Sequence, residues 1–200
     1  MNKQTDKQTL ATGADLTPAL FEDFRQRLVH HCRGEGVRDH CTTDAIFIVQ
    51  AKRRVYGIDT SYTDNRVVIH GDRKHFSPQE YWDDLNEEER AELDEAAREH
   101  SRVDFLELYE DDQWEVLGEL EDHTVTGWDS RWEYVNVHFT REAAEAFIRR
   151  KAHDYPLGLR IYVDAQLYCW EWNAIKAAIM DGRLGLVDEL PTRAAQEVEK

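Results

Sequence analysis

Between Ser77 and His123 the chain carries 19 Asp or Glu against three basic residues, Arg90, Arg98 and Arg102. That excess equals the formal charge of the whole 200-residue protein, −16, because the remaining residues hold 22 acids and 22 bases. An electrically balanced globular domain therefore carries an acidic insert. Such a density of like charge folds only where apolar residues are interleaved to build a core, and here they are: Tyr81, Trp82, Leu85, Leu93, Phe105, Leu106, Leu108, Tyr109, Trp114, Val116, Leu117 and Leu120 lie within the segment. An acidic disordered chain lacks such aromatics and aliphatics.

The insert reads as helical. Ser77-Pro78-Gln79-Glu80 has the order of a helix start, with Ser as N-cap, Pro at the first position and Glu at the third. Asn86 caps a second helix, whose first turn holds Glu87, Glu88 and Glu89, where the helix dipole favours anions. Leu85, Leu93, Ala96 and Ala97 give that helix a narrow apolar stripe. Its other faces display carboxylates three and four residues apart, about 5–6 Å on a helix surface. That is close to the spacing of phosphates along a nucleic-acid strand. Two readings follow: an anionic surface that occupies a basic, nucleic-acid-binding site on another protein, or a solvated face that keeps the protein soluble. The contact candidates are Asp83, Asp84, Glu87, Glu88, Glu92, Glu95 and Glu99.

Around the insert, periodicity predicts an α+β fold, a mainly antiparallel sheet packed with helices. Leu20, Phe21, Phe24, Leu28 and Cys32 recur at helical spacing, which predicts a helix over 18–33. Residues 45–50 read as a buried strand and 54–58 as a second, forming either a hairpin or one long strand. Residues 66–70 form a further strand, 132–139 an alternating strand with one exposed face, and 159–165 a short one. Helices are expected from Thr140 to about Ala152, and from Glu171 to about Asp181 with Trp172, Ile175, Ala178 and Ile179 facing the core. The expected organisation is a disordered tail over 1–15, a single α+β domain over 16–190 containing the acidic insert 77–123, and a frayed tail over 191–200.

Three cysteines make no disulfide framework, which predicts a reducing, cytoplasmic setting. No apolar run approaches the ~20 residues that span a bilayer, so no membrane contact is expected. Two cysteines fall in a dense stretch, His30-His31-Cys32 and His40-Cys41. His31, Cys32, His40 and Cys41 are ligand types that Zn²⁺ prefers, so a zinc-stabilised regulatory or structural module is an alternative. The competing explanation is a helix C-terminus with its polar last turn and glycine cap. Otherwise no cofactor is expected.

No Gly-rich phosphate loop, His-Glu-x-x-His or Gly-x-Ser-x-Gly occurs. Gln50-Ala51-Lys52 at a strand end loosely resembles the strand end of metal-dependent nucleases. Such an enzyme needs an acid converging on Lys52, with Asp39 and Asp44 as candidates. The tryptophans Trp128, Trp132, Trp170 and Trp172 suit core packing better than base stacking.

Two blocks carry a resemblance. One is His40-Cys41-Thr42-Thr43-Asp44-Ala45-Ile46-Phe47-Ile48-Val49-Gln50, continuing from Lys52 to Asp59. The other joins His138-Phe139-Thr140, Ala143 to Ile148, Arg160 to Asp164, and Trp172. Together they resemble a group of uncharacterised proteins encoded by bacteriophages and mobile elements. The resemblance covers about half the chain and implies a setting rather than a mechanism. In that setting the chain is expected to be a non-enzymatic accessory protein. It binds and inhibits a host nucleic-acid-handling complex through the acidic surface, an anti-CRISPR-like inhibitor or another anti-defence protein. The expected partner is a host protein or complex with a basic surface; a cryptic metal-dependent nuclease is the remaining alternative.

Overall fold

The computed structural model describes residues 8–187. A 3-10 turn at Leu10–Thr12 leads into α1 (Pro18–Arg33), α2 (Val37–His40), β1 (Ala45–Ile58), β2 (Arg66–His70), β3 (Arg73–His75) and α3 (Pro78–Asp84). Then come α4 (Glu87–Ser101), α5 (Glu110–Glu119), β4 (His123–His138), α6 (Arg141–Lys151), β5 (Leu159–Ala165) and α7 (Trp170–Met180). The strands form one sheet in the order β3-β2-β4-β1-β5. β1 runs antiparallel to β5, and β2 antiparallel to both β3 and β4. The fold is α+β, as the periodicity predicts. By internal contacts the chain divides into two compact units: Met1–Lys52 with Trp132–Lys200, and Arg53–Arg131.

In the first unit, the β1–β5 register sets Phe47 opposite Val163 and Val49 opposite Ile161. The face they share packs on α6 through Ala144, Phe147 and Ile148. Thr140 starts α6 by accepting a hydrogen bond from the Ala143 N–H on its side-chain oxygen. A second cluster joins α1 and α7 through Leu28, Cys32, Met180 and Ile179.

The second unit is built on the acidic insert. Its core comprises Val68 of β2 with Tyr81, Leu93, Ala97, Phe105, Leu108, Trp114, Val116 and Leu117. A segment that carries the whole net charge therefore has its own apolar interior.

Of the two alternatives left open for the 45–50 and 54–58 runs, the structure forms one long strand of 14 residues. Other expectations change. β4 starts at His123, nine residues before the expected strand, because its first part pairs with β2 from Arg66↔Gly127 to His70↔His123. β3 was not foreseen. The core face of α7 is rotated: Ile175 is exposed, while Lys176 and Met180 are buried. Residues 8–15 of the expected tail include the 3-10 turn, which packs on α1 and α6. Residues 1–7 and the tail 191–200 lie outside the described residues.

Candidate functional site: an anionic helix face and an adjoining cleft

The acidic face follows from how its helices begin. At α3, Ser77 Oγ accepts from the Glu80 N–H at 3.0 Å, and the Glu80 carboxylate accepts from the Phe76 N–H at 2.6 Å. At α4, Asn86 Oδ1 accepts from the N–H groups of Glu88 and Glu89, and the Glu89 carboxylate accepts from the Asn86 N–H at 2.8 Å. This reciprocal capping box fixes the rotation of α4. Leu93 and Ala97 then point into the core, and Arg102, in the left-handed region at φ 63°, ends the helix.

With that face buried, Glu88, Glu92, Glu95 and Glu99 form one exposed stripe. Steps of four, three and four residues carry it over about 16 Å of helix. Among the described residues none of these four carboxylates takes part in an ion pair or a side-chain hydrogen bond, and Glu87 beside them is equally free. The α3 candidates differ. Asp83 accepts from the Gln79 side chain at 2.8 Å. Asp84 meets both His75 and Arg73 at 3.1 Å, and these partners, His75 first, hold its carboxyl below the usual range. The free anionic surface is thus the α4 stripe, with Asp84 already compensated.

A cleft of about 270 Å³ opens beside this stripe, lined by His70, Tyr81, Leu85, Glu89, Glu92, Leu93, Leu120, Glu121 and His123. The sheet register places His70 opposite His123, and their rings stack at 4.1 Å between centroids. His123 Nδ1 lies 2.7 Å from the Glu121 carbonyl, and its Nε2 lies 2.7 Å from the Tyr81 hydroxyl. A carbonyl can only accept, so Nδ1 carries the proton and Nε2 accepts from Tyr81. Burial pushes the His123 pKa down, and burial followed by the charge of Glu89 pushes the Tyr81 pKa up. Both groups therefore stay neutral in a pocket whose charged members, Glu89, Glu92 and Glu121, are anionic. Sequence reasoning missed this cleft, because only the sheet register brings His70 to His123.

The histidine–cysteine stretch folds differently from a zinc site. His31 and His40 do meet, with ring centroids 6.0 Å apart, and both rings contact Phe47. Cys32, on the next helix position, turns into the α1–α7 seam. Cys41 ends α2 at φ 58° and is exposed. Among the described residues the one group of three or more ligand atoms mutually within 4.8 Å is His100, Asp112 and Glu115. The four expected zinc ligands do not converge in this way. His31 Nε2 is instead spent on Glu142 at 3.1 Å. Burial raises the Glu142 carboxyl, but the His31 bond, its own backbone N–H and the Arg27 charge outweigh this and hold it at about 2.

The nuclease candidates separate as well. Asp44 lies 3.8 Å from Lys176, whereas Lys52 is exposed eight residues along β1, about 26 Å away at strand rise. Asp44 and Lys52 cannot share one metal ion. Asp39 is exposed on α2. Of the four tryptophans, Trp128 packs on Phe76, Trp172 stacks on Phe139, Trp132 lies under Arg160, and Trp170 is exposed.

Comparison with protein-family models, curated proteins and solved structures finds no match for the chain. Among the described residues no helix is long and apolar enough to cross a membrane.

Proposed function

We propose that the protein is a non-enzymatic binding protein that presents α4 as a nucleic-acid-like anionic surface to a basic groove on another protein. By occupying that groove it inhibits a host nucleic-acid-handling complex, as an accessory protein of a phage or mobile element would. The observation that carries this reading is the stripe Glu88–Glu92–Glu95–Glu99. It consists of four exposed carboxylates that, among the described residues, make no ion pair or side-chain hydrogen bond, held in fixed register by a capping box and a packed apolar face. A face evolved only for solubility has no need of rigid spacing. A mimic does, because a basic groove is complementary to charges at set intervals.

The test is capture of host proteins on the tagged chain, followed by the same capture with Glu88, Glu92, Glu95 and Glu99 all changed to Lys. The expected result is a nucleic-acid-binding partner that duplex DNA competes away, that weakens steeply with salt, and that the variant loses while keeping its circular dichroism spectrum and cooperative melt. Retention of the partner by the folded variant overturns the reading.

A further inference from the structure

We infer that the cleft between α3, α4 and the β2–β4 pair is a receptor for a guanidinium group, and that its occupant is an arginine side chain of the protein partner. The second half of this assignment rests on the function proposed above; the first half stands on the cleft itself.

Three properties of the lining select the ligand. The first is charge. Every ionised side chain in the cleft is a carboxylate, Glu89, Glu92 or Glu121, and no Lys or Arg lines it. Burial depresses the pKa of His123, and its Nε2 is spent accepting from Tyr81, so the imidazole at the base of the cleft opposes no incoming cation. An anionic ligand is repelled and a cation is attracted. The second is shape. Leu85, Leu93 and Leu120 supply an apolar wall that suits a methylene stem rather than a bare ion, the mode in which long cationic side chains bury their carbons. The third is planarity. The His70 and His123 rings stack with an interplanar angle of 26°, and His70 is the exposed member. A flat guanidinium can extend such a stack and present a fixed fork of donors to carboxylates at its edge; a tetrahedral ammonium has neither the flat face nor the fixed fork. Glu92 belongs both to the cleft and to the α4 stripe, so one basic segment can lay its other cationic side chains along the stripe and insert one arginine.

The experiment uses the full chain and the probe N-acetyl-arginine methylamide, followed by NMR of the His70 and His123 ring protons. Saturable shifts at both rings are expected, with Kd on the order of 10 mM for one isolated side chain. Binding should weaken about tenfold for the lysine analogue and be absent for the glutamine analogue. Glu121→Gln and His70→Ala, which leave the α4 stripe intact, should each weaken the probe about three- to tenfold, on the scale of one exposed ion pair or cation–π contact. Glu99→Gln, outside the cleft, should leave it unchanged. The assignment is overturned by the absence of saturable shifts, by equal response to the glutamine analogue, or by unchanged affinity in both cleft variants. Tighter binding of free arginine than of the blocked probe overturns the docking half in favour of a metabolite site. The two proposals fail separately. Because Glu92 lines the cleft, the stripe is read separately by changing Glu88, Glu95 and Glu99 to Lys, which reports on partner capture, whereas Glu121→Gln and His70→Ala report on the cleft.

Discussion

Lys176 has 2% of its surface exposed; its ammonium makes no hydrogen bond and lies 3.8 Å from Asp44. A buried ammonium with one partner beyond hydrogen-bond reach contributes little net stability, because desolvation offsets the attraction. Lys176→Met should therefore melt at the same temperature or higher, whereas Asp44→Ala, which removes the partner of the buried ammonium, should cost about 3 kcal/mol in urea denaturation. The same charge pair acts on Cys32, whose thiol is pushed up first by burial, with Lys176 and Asp44 pulling in opposite senses. Lys176 was not legible in the sequence. A helix face is assigned from its apolar residues, and Ile175 outranks a lysine until the α1–α7 seam shows that the lysine stem lies inside. His31, by contrast, sits where helical spacing puts it, but its partner Glu142 is 111 residues away and no local pattern announces it.

These buried groups also set a pH response. Burial lowers His40 below its ordinary 6.5, as it does His123 and His138. The unfolded chain then binds more protons than the folded one just below pH 6.5, so stability is full above that value and falls as the pH drops. Glu142, held at about 2 against an ordinary 4.5, contributes stability present above 4.5 and lost as the pH falls toward 2. Urea titrations from pH 7.5 to 3 should show both declines. His40→Phe should shrink the upper one and Glu142→Gln the lower. A stability flat from 7.5 to 5 contradicts the assignment for the three histidines.

At the scale of elements, what could be read from the sequence was what local chemistry decides. The caps Ser77 and Asn86 start α3 and α4 where expected, and β5 spans the expected 159–165. A cap acts on backbone groups two or three residues away, so sequence suffices. Asn86→Ala should accordingly cost about 1 kcal/mol, and Asn86→Ser much less. The start of β4 was hidden because Gly127, Asp129 and Ser130 are poor strand formers. The structure shows why a glycine stands there. A Cβ at Gly127 would lie 2.6 Å from the Ile58 carbonyl oxygen and 2.5 Å from Thr63 Cγ2. That carbonyl also accepts from Thr126 Oγ1 at 3.2 Å, and Thr63 Oγ1 donates to the Trp128 carbonyl at 3.1 Å, so neither neighbour yields freely. Gly127→Ala should destabilise by about 1–3 kcal/mol, the usual range for overpacking. A neutral result would mean that the Ile58–Thr63 turn adapts.

For the molecule as a whole, the charge asymmetry has an energetic side as well as a functional one. The unit Arg53–Arg131 holds 23 acids and nine Lys or Arg, and the rest of the chain holds 18 and 16. Like charges held close oppose the compact state, and among the described residues the α4 stripe forms no ion pair to offset them, although Glu95 does feel the charge of Arg98. If the stripe is kept for binding, it is kept at some cost to stability, and removing the charge without changing shape should relieve that cost. Changing Glu88, Glu92, Glu95 and Glu99 to Gln leaves the buried Leu93 and Ala97 and the capping box untouched. In buffer of about 10 mM ionic strength, where the screening length is about 30 Å, this variant should melt higher than the natural chain; at 1 M salt, where that length is about 3 Å, the difference should nearly vanish. The same variant should lose partner capture, so that stability rises as binding falls. A variant that melts lower, or whose gain ignores salt, would mean that the stripe is compensated within the fold and needs no external basic partner.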